Sequence, residues 1–148
     1  MTTHAALPIL VAAVPIAAAR LRSILPSDRV LCAASYHEAR QQLSRERYAL
    51  AILGVYFDES RMFDLLSFAR TSATNRDTPV VCVLGIRGRL SDVVVRSLEH
   101  TINSMPLAAF LNLAAIPDDA GGNASVRRFL DSYLLPSAGP AQLDVARA

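Results

Sequence analysis

Five short apolar runs, each followed by a segment with helical spacing, constrain the fold of this chain more than any other feature. The predicted strands span residues 9–14, 29–34, 49–53, 79–84 and 108–113. A strand that is apolar throughout has both faces buried, and such strands occur in parallel sheets covered by helices on each side. We therefore predict an α/β fold, a flavodoxin-like, doubly wound five-stranded parallel sheet in three α/β/α layers with (βα)5 order.

The segments between the strands carry start signals typical of helices. Ser35 and Glu38 have the spacing of a capping box, in which each side chain satisfies a free backbone amide. Ser91 is placed to cap the fourth helix, and the fifth helix is expected to begin at Asn123 or Ser125. We expect one folded domain over residues 8–135, with an N-terminal extension at 1–7 and a flexible C-terminal tail at 136–148.

The basic residues limit the classes of partner. The chain has fifteen basic residues, all arginine, and a net charge of +2. They are scattered along the sequence, whereas a nucleic-acid surface needs a basic stripe or patch. The absence of lysine also excludes chemistry that depends on a lysine amine. We therefore expect no direct binding to nucleic acid.

Cysteine and histidine usage points to a reducing compartment without a metal site. Cys32 and Cys82 each lie inside an apolar run, so both are expected to be free thiols in the core. The three histidines lack the spacing of metal ligands. The apolar N-terminal segment has no preceding basic residue and is interrupted by prolines, which favours a buried strand over an export signal or a membrane span. We expect a cytoplasmic protein with no metal and no membrane association.

A resemblance to a known family rests on three segments: HEARQQLSRERYALAILGVYFDESRMFDLLSFAR, TPVVCVLG and AAFLNL. They resemble the receiver domain of bacterial two-component response regulators. The longest segment follows, without a gap, that family's second helix, third strand and third helix, and the other two match its fourth and fifth strands. The resemblance covers about residues 8–135 and implies a domain of bacterial two-component signal transduction.

The resemblance also implies that the phosphorylation site is degenerate. The phosphoacceptor aspartate that ends the third strand corresponds to Gly54, and the acidic pair that holds magnesium corresponds to Ala12 and Ala13. The threonine or serine that ends strand four corresponds to Leu84, and the lysine that ends strand five to Leu113. Phosphoryl transfer needs a nucleophilic oxygen, a divalent metal and fixed positive charge. We therefore expect a pseudo-receiver that is not an enzyme and binds no cofactor.

Polar residues near these positions leave two alternatives open. Asp58 and Glu59 follow the degenerate position closely and are either replacement acids or part of a solvated loop before a helix. Arg87 and Arg89 lie just past strand four and are either candidate anion contacts or ordinary solvated side chains. Ala114 stands where receivers usually carry a proline.

The resemblance further implies an interaction surface. Receivers dimerise or dock through their fourth helix, fifth strand and fifth helix. We place Arg96, Glu99, Asn103, Phe110 and Arg127 on that surface. Phe110 matches an aromatic that moves when receivers are phosphorylated, and without a strand-four hydroxyl we expect it to hold one position, in the core or on the surface. The expected partner is a protein (a regulator, a kinase or an output protein) or a second copy of the chain.

Two functions from different classes remain after this reading. The first is a non-catalytic pseudo-receiver, an atypical response regulator that acts in signal transduction through phosphorylation-independent protein–protein interaction. The alternative is a flavodoxin-like small-molecule or nucleotide-binding domain that uses the crevice at the carboxyl ends of the strands. No Gly-rich phosphate loop follows the first strand, which disfavours the alternative. A bound protein and a bound metabolite would distinguish them.

Overall fold

The sheet has the predicted number of strands and the predicted order. The structure, a computed structural model, describes residues 7–85 and 90–134, so the expected tail and almost all of the expected extension lie outside it. The parallel strands pair in the order β2-β1-β3-β4-β5, which confirms the doubly wound, flavodoxin-like fold. The strands are β1 Ile9–Ala12, β2 Val30–Cys32, β3 Leu50–Gly54, β4 Val80–Val83 and β5 Ala108–Leu111.

Five helices cover the two faces of this sheet. The helices are α1 Pro15–Ile24, α2 Tyr36–Arg45, α3 Met62–Thr71, α4 Asp92–Asn103 and α5 Ala120–Asp131. Helices α2, α3 and α4 pack over one core, and α1 and α5 pack over the other. A one-turn helical segment, Phe57–Ser60, precedes α3, and a 3-10 turn, Leu113–Ala115, follows β5. Within the described ranges, no helix combines the length and the apolar character needed to cross a bilayer.

The central strand β3 shows why apolar runs build this sheet. All five of its residues are buried, because helices cover both faces. Leu50 and Ile52 face the core under α1 and α5, whereas Ala51 and Leu53 face the core under α2, α3 and α4. The period of two along a strand thus divides one continuous apolar run between two cores.

The prediction that Cys32 is a core residue is wrong. It lies on the edge strand β2, where Leu31 is 38% exposed and Cys32 is exposed as well. This strand has one neighbouring strand and incomplete cover from the helices, so its apolar sequence does not produce burial. Cys82 is buried in β4 as predicted, and burial raises the pKa of its thiol to about 12. Both cysteines are free.

The predicted caps of α2 and α4 are confirmed, and the predicted start of α5 is wrong. The Ser35 and Ser91 hydroxyls accept hydrogen bonds from backbone amides in the first turns of their helices. Helix α5 begins at Ala120, before the predicted Asn123 or Ser125, because the Asp119 carboxylate caps it. Two glycines in its first turn hid this start in the sequence. Strand β5 also ends two residues earlier than predicted.

A buried asparagine fixes the amino-terminal edge of the sheet. Asn75 has no exposed surface, and its amide nitrogen donates to the carbonyls of Leu43, at 2.6 Å, and Glu46, at 2.8 Å. Its Oδ1 accepts from the Tyr48 amide at 2.9 Å and from the Thr78 hydroxyl at 2.8 Å. Sequence reasoning missed this side chain, which joins α2 to the starts of β3 and β4.

Candidate functional site

The five residues predicted to form the degenerate pocket lie at the carboxyl edge of the sheet. Ala12 ends β1, Gly54 ends β3, Leu84 follows β4 and Leu113 begins the turn after β5. All five are buried, and Ala13 is 7% exposed. In a doubly wound sheet this edge is where ligands bind. Here aliphatic side chains and backbone occupy it.

The close approach of β3 to the end of β1 leaves little room for a side chain at Gly54. A Cβ atom built on Gly54 would lie 3.0 Å from the Ala13 Cα and 3.1 Å from its Cβ. Such distances are tighter than ordinary van der Waals contact between carbon atoms. A side chain at this position would therefore require the Ala13 backbone to shift. The edge thus lacks polar groups and is also closely packed.

Backbone hydrogen bonds continue the sheet past the strand ends. The Val55 amide donates to the Val83 carbonyl at 2.9 Å, and the Leu84 amide donates to the Leu111 carbonyl at 3.0 Å. Ala114 donates its amide to the Leu84 carbonyl at 2.8 Å. The resemblance places this residue where receivers usually carry a proline. A proline has no N–H and would leave this bond unmade. These amides are consequently not free to bind an anion.

Helix α1 closes the same edge from the other layer. Gly85, which follows β4, lies so close to Ala17 that a side chain at residue 85 would collide with the Ala17 methyl group. Glycine is needed here for the close approach of helix and strand.

An arginine that sequence reasoning missed ties α1 to the turn after β5. The Arg20 guanidinium donates to the carbonyls of Leu113, at 3.0 Å, and Pro117, at 2.8 Å, and to the Asn123 amide oxygen at 3.0 Å. It also pairs with Asp118 at 3.6 Å, and its side chain is 11% exposed. One arginine after an apolar run carries no local signal for such a role. Its hydrogen bonds go to carbonyl and amide oxygens of the protein itself.

The residues of this edge do not fit magnesium. The two positions that match the acidic pair of receivers are alanines, and the position that matches the phosphoacceptor is a glycine. Magnesium requires oxygen ligands in octahedral geometry, and these side chains provide none. Asp58 is not a replacement, because its Oδ2 accepts a hydrogen bond from the Tyr36 amide at 2.6 Å. Asp58 and its neighbour Glu59 have positive φ angles of 43° and 59°, a left-handed turn that sets this orientation. In the described part of the chain, no cluster of three or more His, Cys, Asp or Glu residues is arranged to hold a metal.

A small cavity remains beside the filled edge. It has a volume of about 290 Å³ and lies at the carboxyl ends of β4 and β5, next to the start of α4. The Asn112 Oδ1 atom is buried and has no hydrogen-bond partner among the described residues. Sequence reasoning did not single out Asn112, although it is a polar residue at the end of an apolar run. The cavity is lined by Leu84, Leu90, Asp92, Val95, Asn112, Ala114 and Ala115.

The predicted interaction surface is only partly assembled. Arg96 and Glu99 are exposed on α4, whereas Phe110 is 7% exposed and belongs to the core. Asn103 is engaged, because its Oδ1 accepts a hydrogen bond from the Phe110 amide at 3.0 Å. Arg127 is not brought to this surface. Its guanidinium pairs with a carboxylate one turn further along α5 and donates to the last carbonyl of α1.

The structure reveals an apolar contribution to this surface that sequence reasoning missed. Val93 is 63% exposed and Val94 is 42% exposed, and within α4 the fully buried side chain is that of Ile102. The two candidate anion contacts, Arg87 and Arg89, lie outside the described residues.

The fold is that of receiver domains. A response regulator from Hahella chejuensis superposes with a TM-score of 0.65 at 18% identity, over 89% of this chain and 97% of that chain. The receiver domain of a sensor histidine kinase from Pseudomonas aeruginosa PAO1, solved with a magnesium ion in its active-site cleft, gives 0.62 at 16% identity over 87% and 98%. The signal receiver domain of a histidine kinase from Syntrophus aciditrophicus gives 0.57 at 26% identity over 86% and 92%. No family model matches the chain, and no curated protein sequence matches it significantly.

The packing at Gly54 can be tested with a pair of glycine substitutions. Gly54→Ala places a methyl group against Ala13, so we expect it to lower the free energy of unfolding by about 1–2 kcal/mol through overpacking. Gly54→Asp should lower it further, because the carboxylate would be buried without a partner. Urea unfolding of each purified variant, followed by circular dichroism, measures both effects.

Gly121→Ala is the matched control, because its Cβ would meet nothing closer than an Asp119 oxygen at 3.8 Å. We expect this helical substitution to raise the free energy of unfolding by about 0.4–1 kcal/mol, since alanine restricts the unfolded chain. Equal effects of the two alanine substitutions would show that the carboxyl edge has room for a side chain.

Proposed function

We propose that this protein is a non-catalytic pseudo-receiver that acts in bacterial signal transduction through phosphorylation-independent contacts with proteins. The observation that carries the proposal is the packing of Gly54 against Ala13, where a phosphoacceptor side chain would fit only if Ala13 moved by a few tenths of an ångström, at an edge whose matching positions carry no acidic side chain. The receiver fold of the superposed structures supports a role in two-component signalling.

The comparison with the receiver domain from Pseudomonas aeruginosa explains what has been lost. That protein coordinates magnesium in its active-site cleft. At the corresponding edge of this chain, alanines, glycine and leucines supply neither a metal ligand nor a nucleophile. A phosphorylation switch is driven by added charge and by metal binding at this edge. The proposed mechanism therefore includes no such switch.

A single conformation of the output surface follows from this loss. Phe110 is buried, and the Asn103 side chain holds its backbone amide. A population shift needs a ligand that binds the two states with different affinity. Since the edge has neither a phosphoacceptor nor metal ligands, phosphorylation does not shift the domain between two states, and the domain presents one surface to its partner.

The surface best suited to a partner is the exposed side of α4. Val93 and Arg96 lie three residues apart, which places them on the same side of the helix. Val93 is 63% exposed and no side chain of the described residues covers it. Exposed aliphatic residues beside an arginine are typical of interaction sites, where they provide buried apolar area and directional hydrogen bonds. The occupant that we propose is a partner protein or a second copy of the chain.

The proposed absence of phosphorylation has a direct test. Incubation with acetyl phosphate and magnesium should add no phosphoryl group, because the edge has no acceptor oxygen and no metal ligands. Intact-protein mass spectrometry measures the adduct, with an active receiver domain treated in parallel as the positive control. A stoichiometric, base-labile adduct would contradict the proposal, and Asp58 would then be the first acceptor to replace.

The proposed surface is tested by a double substitution on α4. Val93→Ser combined with Arg96→Ala should weaken self-association or partner binding about tenfold, because the anchor and its neighbouring charge are removed together. Sedimentation velocity measures self-association, and quantitative mass spectrometry of affinity captures from the native host compares partner recovery.

The matched control lies on the opposite layer. Ile16→Ser combined with Arg22→Ala also removes one exposed aliphatic side chain and one exposed arginine. We expect this control to associate and to capture partners as the parent does. If both double variants bind as the parent does, the α4 surface is not the site. Equal losses in both would point to an effect that is not specific to α4.

A second candidate function is small-molecule binding in the cavity beside Leu84. The buried, unpartnered Asn112 Oδ1 favours it, because a ligand N–H would satisfy that atom. The volume of about 290 Å³ lies at the lower end of the range for ligand pockets. Native mass spectrometry of the protein from its own host distinguishes the candidates, since this one requires a co-purified metabolite that Asn112→Leu removes.

A further inference from the structure

A basic groove runs between α2 and α3, away from the α4 surface. It encloses about 750 Å³, larger than the cavity beside Leu84. Its two charged side chains, Arg40 and Arg45, are both basic, and the Phe68 ring in its lining is half-buried. The groove is lined by His37, Arg40, Gln41, Ser44, Arg45 and Phe68.

Arg40 is held in place by aromatic rings. Its guanidinium carbon lies 4.5 Å from the centroid of the Phe68 ring and 5.7 Å from that of Tyr36. On the other side of the groove entrance, the Arg61 guanidinium lies 3.7 Å from the Tyr36 centroid. Stacking engages the face of a guanidinium and leaves the N–H groups at its edge free to donate. Arg40 is therefore oriented before any ligand arrives, which lowers the entropic cost of binding.

The carboxylates around the groove are already engaged. Glu38 accepts a hydrogen bond from the Ala34 amide at 2.6 Å, and Asp64 pairs with Arg61 at 3.5 Å. Asp58 caps the start of α2. By contrast, the guanidinium groups of Arg40 and Arg45 have no ion-pair partner in residues 7–85 and 90–134. The residues that line the groove thus include two guanidinium groups and no carboxylate.

We propose that this groove docks an acidic segment of a partner protein. A carboxylate of the segment binds the free N–H edge of Arg40 through two parallel hydrogen bonds, and a second carboxylate binds Arg45. An apolar side chain of the segment packs on the exposed part of Phe68. Arg40 and Arg45 are five residues apart, about 7.5 Å along the axis of α2, and both line the groove. Two glutamates four residues apart in a helical segment are about 6 Å apart along its axis, a similar spacing.

The chemistry of the groove favours a protein segment over nucleic acid. Tight binding to nucleic acid draws on many phosphate contacts and a basic stripe. The groove offers two arginines, a histidine and an apolar ring, and the whole chain has a net charge of only +2. Two carboxylates and one apolar anchor match this set of groups.

The groove is independent of the proposed α4 surface. It is built by α2 and α3, and its residues share none with the valines and charges of α4. A failure of this inference therefore leaves the proposed function untouched, and substitutions on α4 leave docking in the groove unchanged.

The test uses a fluorescein-labelled helical peptide with glutamates four residues apart and one leucine between them. Fluorescence anisotropy with the full chain should show saturable binding that weakens as salt is added. The matched peptide with glutamine in place of each glutamate should bind at least about tenfold more weakly. Amide chemical shifts of the ¹⁵N-labelled protein should move at His37, Arg40 and Phe68.

Two substitutions of Arg40 distinguish the effect of the orientation of its guanidinium group from the effect of its positive charge. Arg40→Gln should weaken peptide binding about tenfold, and Arg40→Lys should weaken it several-fold although the charge is kept, because the planar fork and the stacking are lost. Arg96→Gln, which removes an exposed arginine on α4, is the control and should leave binding unchanged.

Three results would overturn the inference. One is an absence of saturable peptide binding up to millimolar concentration, and another is equal loss in Arg40→Gln and Arg96→Gln. The third is evidence that the groove holds a different occupant. Tighter binding of a single-stranded DNA than of the peptide would indicate nucleic acid, and loss of self-association in Arg40→Gln would indicate a second copy of the chain.

Discussion

The close approach of β3 to the end of β1 is the contact on which the rest of this account depends. Because Gly54 lies against Ala13, the place where a receiver domain would hold its acceptor is filled by backbone and a methyl group. Neighbouring amides pair with carbonyls instead of an anion, and α1 packs closely on Gly85. The absence of acidic side chains at the matching positions and the close packing of Gly54 and Gly85 thus occur together at this edge.

Side-chain hydrogen bonds hold both the amino and the carboxyl ends of the strands in place. Such a scaffold suits a domain that acts by presenting binding surfaces. The Asn75 network binds the amino edge, and the four contacts of Arg20 bind the turn after β5 to α1. Buried, charge-assisted hydrogen bonds of this kind are costly to leave unmade. A rigid scaffold of this sort leaves the exposed faces of α2, α3 and α4 as the places where specificity is set.

The sequence predicted the five strands and their doubly wound, parallel arrangement, because apolar periodicity is a local signal. It could not place residues whose role depends on tertiary neighbours. Cys32 is exposed because β2 is an edge strand, and Arg127 turns to α1 because a carbonyl there accepts its hydrogen bond. Arg20 and Asn75 looked ordinary because their partners lie far away in the chain. The stacking of Arg40 depends likewise on rings from two helices.

The most direct test of the central claim is a titration of the ¹⁵N-labelled protein with Mn²⁺, followed by paramagnetic broadening of amide resonances. A receiver with its acidic residues would show saturable broadening at this edge of the sheet. The filled edge described above predicts that the amides of residues 12–14 and 54–56 broaden no more than those of the opposite edge. Saturable broadening centred on Gly54 that Mg²⁺ reverses would contradict the account.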